Sequence, residues 1–156
     1  MNLSLSYCTK WSLNKKRPWK EIDEETARKC HNNREPYSAV LSKDEQPLYI
    51  IDIANEWVSV IFLDEVLRPY LRYDFKEVKT AKLFLRGGYF WEYEGTSDKE
   101  IARKIFRFEE NGYSLLADDN FITEESKEVE TYGSVDSNWE DYPEFGDYVY
   151  LCKEER

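Results

Sequence analysis

From Tyr37 onward the chain is a succession of short β-branched and aromatic runs, each closed within a few positions by turn residues, and this spacing constrains the fold more than any other feature. Leu48 to Ile53 and Trp57 to Leu63 flank Ala54-Asn55-Glu56 as a hairpin, and both are apolar enough for central strands. Asp64 to Arg68 predicts one helical turn ended by Pro69. Strands then follow at Tyr70 to Phe75, Ala81 to Arg86 and Tyr89 to Glu94, with Gly87-Gly88 marking a tight reversal or a bulge. Parallel neighbours need crossovers of about a dozen residues. Connections this short leave an antiparallel meander.

Ser97 with Glu100 makes a capping box, and Ile101, Ile105 and Phe108 form a helical stripe ended by Gly112. The same residues alternate as strands, and Glu110-Asn111-Gly112 before Tyr113-Ser114-Leu115-Leu116 is a hairpin signal, which favours strands at about 102–109 and 113–117. Further strands are predicted at Lys127 to Tyr132 and Tyr148 to Cys152. At the other end, residues 3–13 alternate as a half-buried strand, and Pro18, Trp19, Ile22, Thr26 and Cys30 predict an amphipathic helix over 18–31 stopped by Asn32-Asn33. The expected fold is α+β and mainly β: a curved antiparallel meander, up to a half-barrel in curvature, with one N-terminal helix, in a single domain spanning 1–156.

Composition narrows the function classes. With 41% hydrophobic and 16% aromatic residues the chain can bury a core, so disorder is excluded. A net charge of −10 argues against nucleic acid and against an anionic membrane surface as partners. The N-terminus lacks a charged n-region before an apolar stretch, and the longest apolar run, Val58 to Leu63, is far short of a span, so a cytoplasmic protein is expected. Cys8, Cys30 and Cys152 cannot all pair within the chain, and reduced thiols follow. The only histidine, His31, cannot build a His-rich metal site, and beside Cys30 it is expected to cap carbonyls at a helix end while the cysteine packs. No cofactor or metal is implied.

The charge is concentrated. Between Asp118 and Asp147 eleven acids face one base, Lys127, a net −10, so the remainder is neutral, and within it residues 1–34 hold eight bases against four acids. Phe121, Tyr132, Trp139, Tyr142 and Phe145 are threaded through the acidic segment. Trp and Tyr are frequent interface anchors, and carboxylates around them steer a basic partner. The candidate binding residues are therefore Trp139, Tyr142 and Phe145, ringed by Glu140, Asp141, Glu144 and Asp147, with Asp118, Asp119, Glu124 and Glu125 upstream. The competing structural role for the rings is to fold the loop back onto the sheet. Asp118-Asp119-Asn120 with Glu124-Glu125 has calcium-type donors but neither the EF-hand order nor its mid-loop glycine. Nothing marks a catalytic pair, so no enzyme is expected. The alternative function is a small ligand enclosed by a closed meander and lined by Tyr89, Trp91 and Tyr93.

The stretch Leu83-Phe84-Leu85-Arg86-Gly87-Gly88-Tyr89-Phe90-Trp91-Glu92-Tyr93-Glu94, followed by Ile105-Phe106-Arg107-Phe108-Glu109-Glu110-Asn111-Gly112, in an acidic meander of this size, resembles small bacterial immunity proteins of polymorphic or contact-dependent growth-inhibition systems. The resemblance covers about half of the chain and carries no diagnostic motif. It implies a cytoplasmic protein, monomeric when free, that binds one cognate toxin domain and blocks it, often a nuclease with a basic cleft.

Overall fold

A computed structural model describes residues 2–156 of the protein. The chain forms β1 (Ser4–Cys8), β2 (Trp11–Ser12), β3 (Arg17–Pro18), β4 (Glu21–Ile22) and helix α1 (Glu24–Asn32). Then come β5 (Tyr37–Lys43), β6 (Gln46–Ala54), β7 (Trp57–Leu63), β8 (Pro69–Lys79), β9 (Lys82–Tyr93), β10 (Glu100–Phe108), β11 (Tyr113–Asn120), β12 (Glu125–Tyr132) and β13 (Trp139–Asp141). One antiparallel sheet runs β12-β11-β10-β9-β8-β7-β6-β5-β1-β4, so each strand from β5 to β12 pairs with its sequence neighbour. The path does not return on itself, and the sheet stays open rather than closing into a barrel. The predicted meander is therefore the architecture, and the stretch after Ser97 is strand, not helix.

The sheet has two faces with different covers. On one, α1 and the C-terminal segment from Tyr142 to Cys152 pack over Tyr37, Ala39, Ile51, Ile53, Val60, Phe62, Phe75, Leu83 and Leu85; this is the helix face. On the other, the β2–β3 hairpin lays Trp11 over Cys8, Val40, Ile50, Ile61 and Leu63; this is the hairpin face. Covers on both sides explain why β5 and β7 are apolar at successive positions rather than alternating.

Several boundaries differ from the sequence expectation. The helix begins after Asp23, whose carboxylate accepts the Thr26 N–H at 2.7 Å, so the expected span 18–31 contracts at its start. Pro18 lies in the ladder opposite Trp11, and Trp19 is 64% exposed instead of facing the core. The predicted strand 3–13 breaks after Cys8, where the chain turns to make that hairpin. Asp64 to Arg68 is a strand-to-strand turn, not a helical one: Asp64 Oδ1 accepts the N–H groups of Val66 and Arg68, and Leu67 takes φ 62°. Gly87 and Gly88 lie inside the continuous β9, next to a bulge at Asp74/Phe75. A Cβ on Gly87 would meet the Phe106 carbonyl at 3.0 Å, which explains the residue without any reversal. Tyr148 to Cys152 forms a 3-10 turn rather than a strand, while the unpredicted β13 pairs with Lys82–Phe84 of β9.

Candidate protein-binding surface

The acidic segment divides into two bodies. Residues 113–132 form the β11–β12 hairpin at the free end of the sheet, and residues 139–152 form a strap that pairs with β9 and then crosses the helix face. Asp118, Asp119, Glu124 and Glu125 belong to the hairpin; Trp139, Glu140, Asp141, Tyr142, Glu144, Phe145 and Asp147 belong to the strap. The structure does not bring the two sets together as neighbouring strands.

In the strap most of these side chains have partners within the chain. Trp139 packs edge-on to Phe84 with centroids 5.0 Å apart, and Lys79 lies over its ring. Tyr142 donates to the Asn55 carbonyl at 2.8 Å while the Arg34 guanidinium lies 4.1 Å from its ring centre. Phe145 stacks on Tyr7 at 5.1 Å beneath Arg28. Glu140 holds Lys153 at 2.9 Å and Arg156 at 2.7 Å, and Asp141 pairs with Lys82. Glu144 and Asp147 are exposed. The rings are half-buried and hold the strap down. Of the sequence-derived set, the strap thus contributes mainly exposed acids.

Tyr37 and Tyr148 are the buried centre of this cover. Their hydroxyls lie 2.7 Å apart, and His31 Nδ1 lies 2.7 Å from Tyr37 Oη. His31 therefore joins α1 to the sheet and the strap instead of capping carbonyls, and burial, then Arg34 and Arg28, hold its pKa below the usual histidine value. Burial pushes the Cys8 thiol up to about 11 and the Cys152 thiol up to about 12, so both stay protonated near neutrality.

The β10–β12 wing is built differently. None of its residues is buried in any of the three strands, and every residue of β12 is exposed. Directly paired residues share a face, so Phe106, Leu116 and Val129 line up across the helix-face side, with Lys104, Asp118 and Lys127 in the next row but one positions along. On the hairpin-face side Ile105, Ala117 and Glu128 align, and Arg107, Leu115 and Glu130 beside them. Phe108 of β10 still packs against the helix-face core, but no residue of β11 or β12 belongs to either core cluster. Val129 is 49% exposed, Ile122 71% and Tyr132 76%. The β11–β12 hairpin carries six acids and one base, and among the described residues no strand pairs with the outer edge of β12. Asp119 is engaged by Ser126 Oγ at 2.6 Å and by Arg103, whereas Glu124 and Glu125 are exposed at the hairpin tip. Asn120 Oδ1 accepts from the Ile122 and Thr123 amides, which makes the calcium-like run a turn.

Apolar positions of the wing, Phe106, Leu116, Ile122 and Val129, were not among the expected binding residues. Their signal was present in β12, where each alternating face is mostly Glu, Ser, Lys and Thr with a single apolar or aromatic residue, Val129 on one and Tyr132 on the other: too little to hold a cover. Comparison of the chain with protein-family models, with curated proteins and with solved structures gives no match. Fold and surface chemistry carry the functional reading.

Proposed function

We propose that this chain is a stoichiometric inhibitor of a basic protein partner, of the immunity-protein kind, and that it docks through the β10–β12 wing. The observation that carries the reading is the uncovered wing itself: exposed Val129, Ile122 and Tyr132 on a hairpin of net charge −5, next to an open strand edge. Monomeric domains seldom leave an apolar row uncovered without a binding role. A negative, protruding hairpin accelerates encounter with a positive surface, and a toxin that handles nucleic acid must present one. A stable one-to-one complex of this kind would need an interface of standard size, about 1,600 Å² in total. The alternative of a ligand enclosed in a barrel has no container, since the strand path is open.

The test is co-expression with the product of the adjacent gene, followed by measurement of complex formation and of relief from that product's toxicity. Reversing Glu124, Glu128 and Glu130 to lysine together should slow association about tenfold or more at low salt and flatten its salt dependence. Reversing Glu144 and Asp147 on the strap should do much less. Equal effects from the two sets, or no effect from the first, would remove the wing from the interface.

A further inference from the structure

On the hairpin face, the paired residues Ser38, Asp52, Ser59 and Asp74 form a polar row across β5 to β8, directly beside the apolar patch under Trp11. The row is the floor of a cleft of about 350 Å³, also lined by Lys10, Trp57 and Arg72. Its two halves repeat one motif. Ser59 Oγ donates to Asp74 Oδ1 at 2.6 Å, and Arg72 Nε completes the group at 2.8 Å. Two strands away Ser38 Oγ donates to Asp52 in the same way, but the position equivalent to Arg72 is Ile50, and Asp52 forms no salt bridge among the described residues.

The geometry points to this cleft as a receptor for a guanidinium group, with Asp52 as its counter-ion and Trp57 as its stacking wall. The first half of the row shows the arrangement complete, with the protein's own arginine in place; the second half shows it lacking that arginine. Trp57 is 40% exposed, lines the cleft, and already holds the Lys76 ammonium 5.6 Å from its ring centre, so the indole is placed to take cationic contacts. A guanidinium suits the site better than an ammonium, because it is planar, weakly hydrated, and can stack on the indole while meeting the carboxylate through two N–H groups. Arg72 does not oppose the guest strongly, since its charge is met by Asp74, and Lys10 is exposed at the rim. Burial, more than any charge, raises the Asp52 pKa, with Asp74 adding to it and the Ser38 hydrogen bond, Arg72 and Lys10 opposing it. The site goes beyond the wing and does not depend on it. Its guest is free arginine or an arginine side chain of a protein.

The experiment follows the Asp52 carboxyl carbon and the Trp57 indole N–H of the full chain by NMR, during titration with free L-arginine and, separately, with N-acetyl-L-arginine N-methylamide. Saturable shifts of both resonances are expected, together with a fall in the Asp52 titration midpoint once the probe is bound. Weakening of about tenfold is expected for Asp52→Asn, as for loss of one charge-assisted contact. Trp57→Leu, which changes an exposed ring, should weaken binding while the thermal melt stays unchanged. Tighter binding of the blocked derivative assigns the site to a protein side chain; equal or tighter binding of the free amino acid assigns it to the metabolite. Shifts that rise linearly without saturation, equal shifts with sodium chloride at matched ionic strength, or unchanged binding by either variant would overturn the inference. None of these outcomes bears on the partner's association with the wing, which the charge reversals test separately.

Discussion

Strands β7 and β12 belong to one sheet and are seven and eight residues long, yet six residues of β7 are buried and none of β12. Both are laddered to a neighbour, so backbone pairing does not make the difference. Cover does: β7 lies between α1 with the strap on one side and the β2–β3 hairpin on the other, and β12 lies beyond all of them. A sheet that continues past its covers exchanges stability for accessible surface. The covered part holds the fold, and the uncovered part is the surface proposed for contact.

The largest expected effect tests that division directly. Phe75 is fully buried in the helix-face core, and Phe75→Ala should cost about 3 to 5 kcal/mol in urea unfolding through loss of packing and the cavity left behind. Phe106, partly buried on β10 and stacked on Phe108, should cost less than half as much when changed to Ala, about 1 to 2 kcal/mol. Equal losses would mean that the wing belongs to the cooperative core, and its role as a free surface would fail.

A smaller effect separates acids that hold the strap from acids that face outward. The Arg156 side chain is 3% exposed and Glu140 14%, and they meet at 2.7 Å. Glu140→Ala leaves that guanidinium buried without its counter-ion, at an expected cost of about 3 kcal/mol. Asp141, next in sequence, has a side chain 72% exposed opposite Lys82, and Asp141→Asn should change stability by less than about 1 kcal/mol. Comparable losses at both positions would show that the strap is held by net charge rather than by one buried pair.

These contrasts also show what could be read from the chain in advance. β6 and β7 were legible because their runs are apolar on both faces and the turn between them carries Asn55, which tolerates its φ of 57°. The helix start was misplaced because Pro18, Trp19 and Ile22 fit helical spacing, and only the side-chain cap of Asp23 marks the true beginning. Tyr148, Tyr150 and Cys152 alternate like a strand, but the buried pair is Tyr148 and Leu151, three apart, which belongs to a 3-10 turn. Clustering of the acids was visible along the sequence. Their division into a hairpin and a strap was not, because it depends on Trp139 to Asp141 pairing with β9, more than fifty residues earlier. The Asp52 cleft was invisible for a related reason: its residues come from four strands and share a face only once the register is set.

The smallest effect is a pH dependence confined to the covered part. His31 Nδ1 lies 2.7 Å from the Tyr37 hydroxyl, which also meets Tyr148, and the rings of Tyr142 and Phe145 lie 6.1 and 5.7 Å from the imidazole centre. Protonation leaves both ring nitrogens as donors only and sets a third positive charge beside Arg28 and Arg34. Burial first, and those two arginines second, depress the folded-state pKa. The unfolded chain therefore takes up a proton near pH 6.5, before the folded chain does, and binds more protons in the interval below. Stability contributed by neutral His31 is complete above about pH 6.5 and is lost as pH falls through the window down to the folded value. Urea midpoints measured across that window should fall for the wild type and fall less for His31→Gln. Amide exchange locates the change: protection should drop in α1 and around Tyr148 to Cys152, while β12, which has no cover to lose, should be unaffected. The same pH slope in wild type and variant, or a loss of protection that begins in β12, would show that the covers and the wing respond as one body, and the contrast between them would not hold.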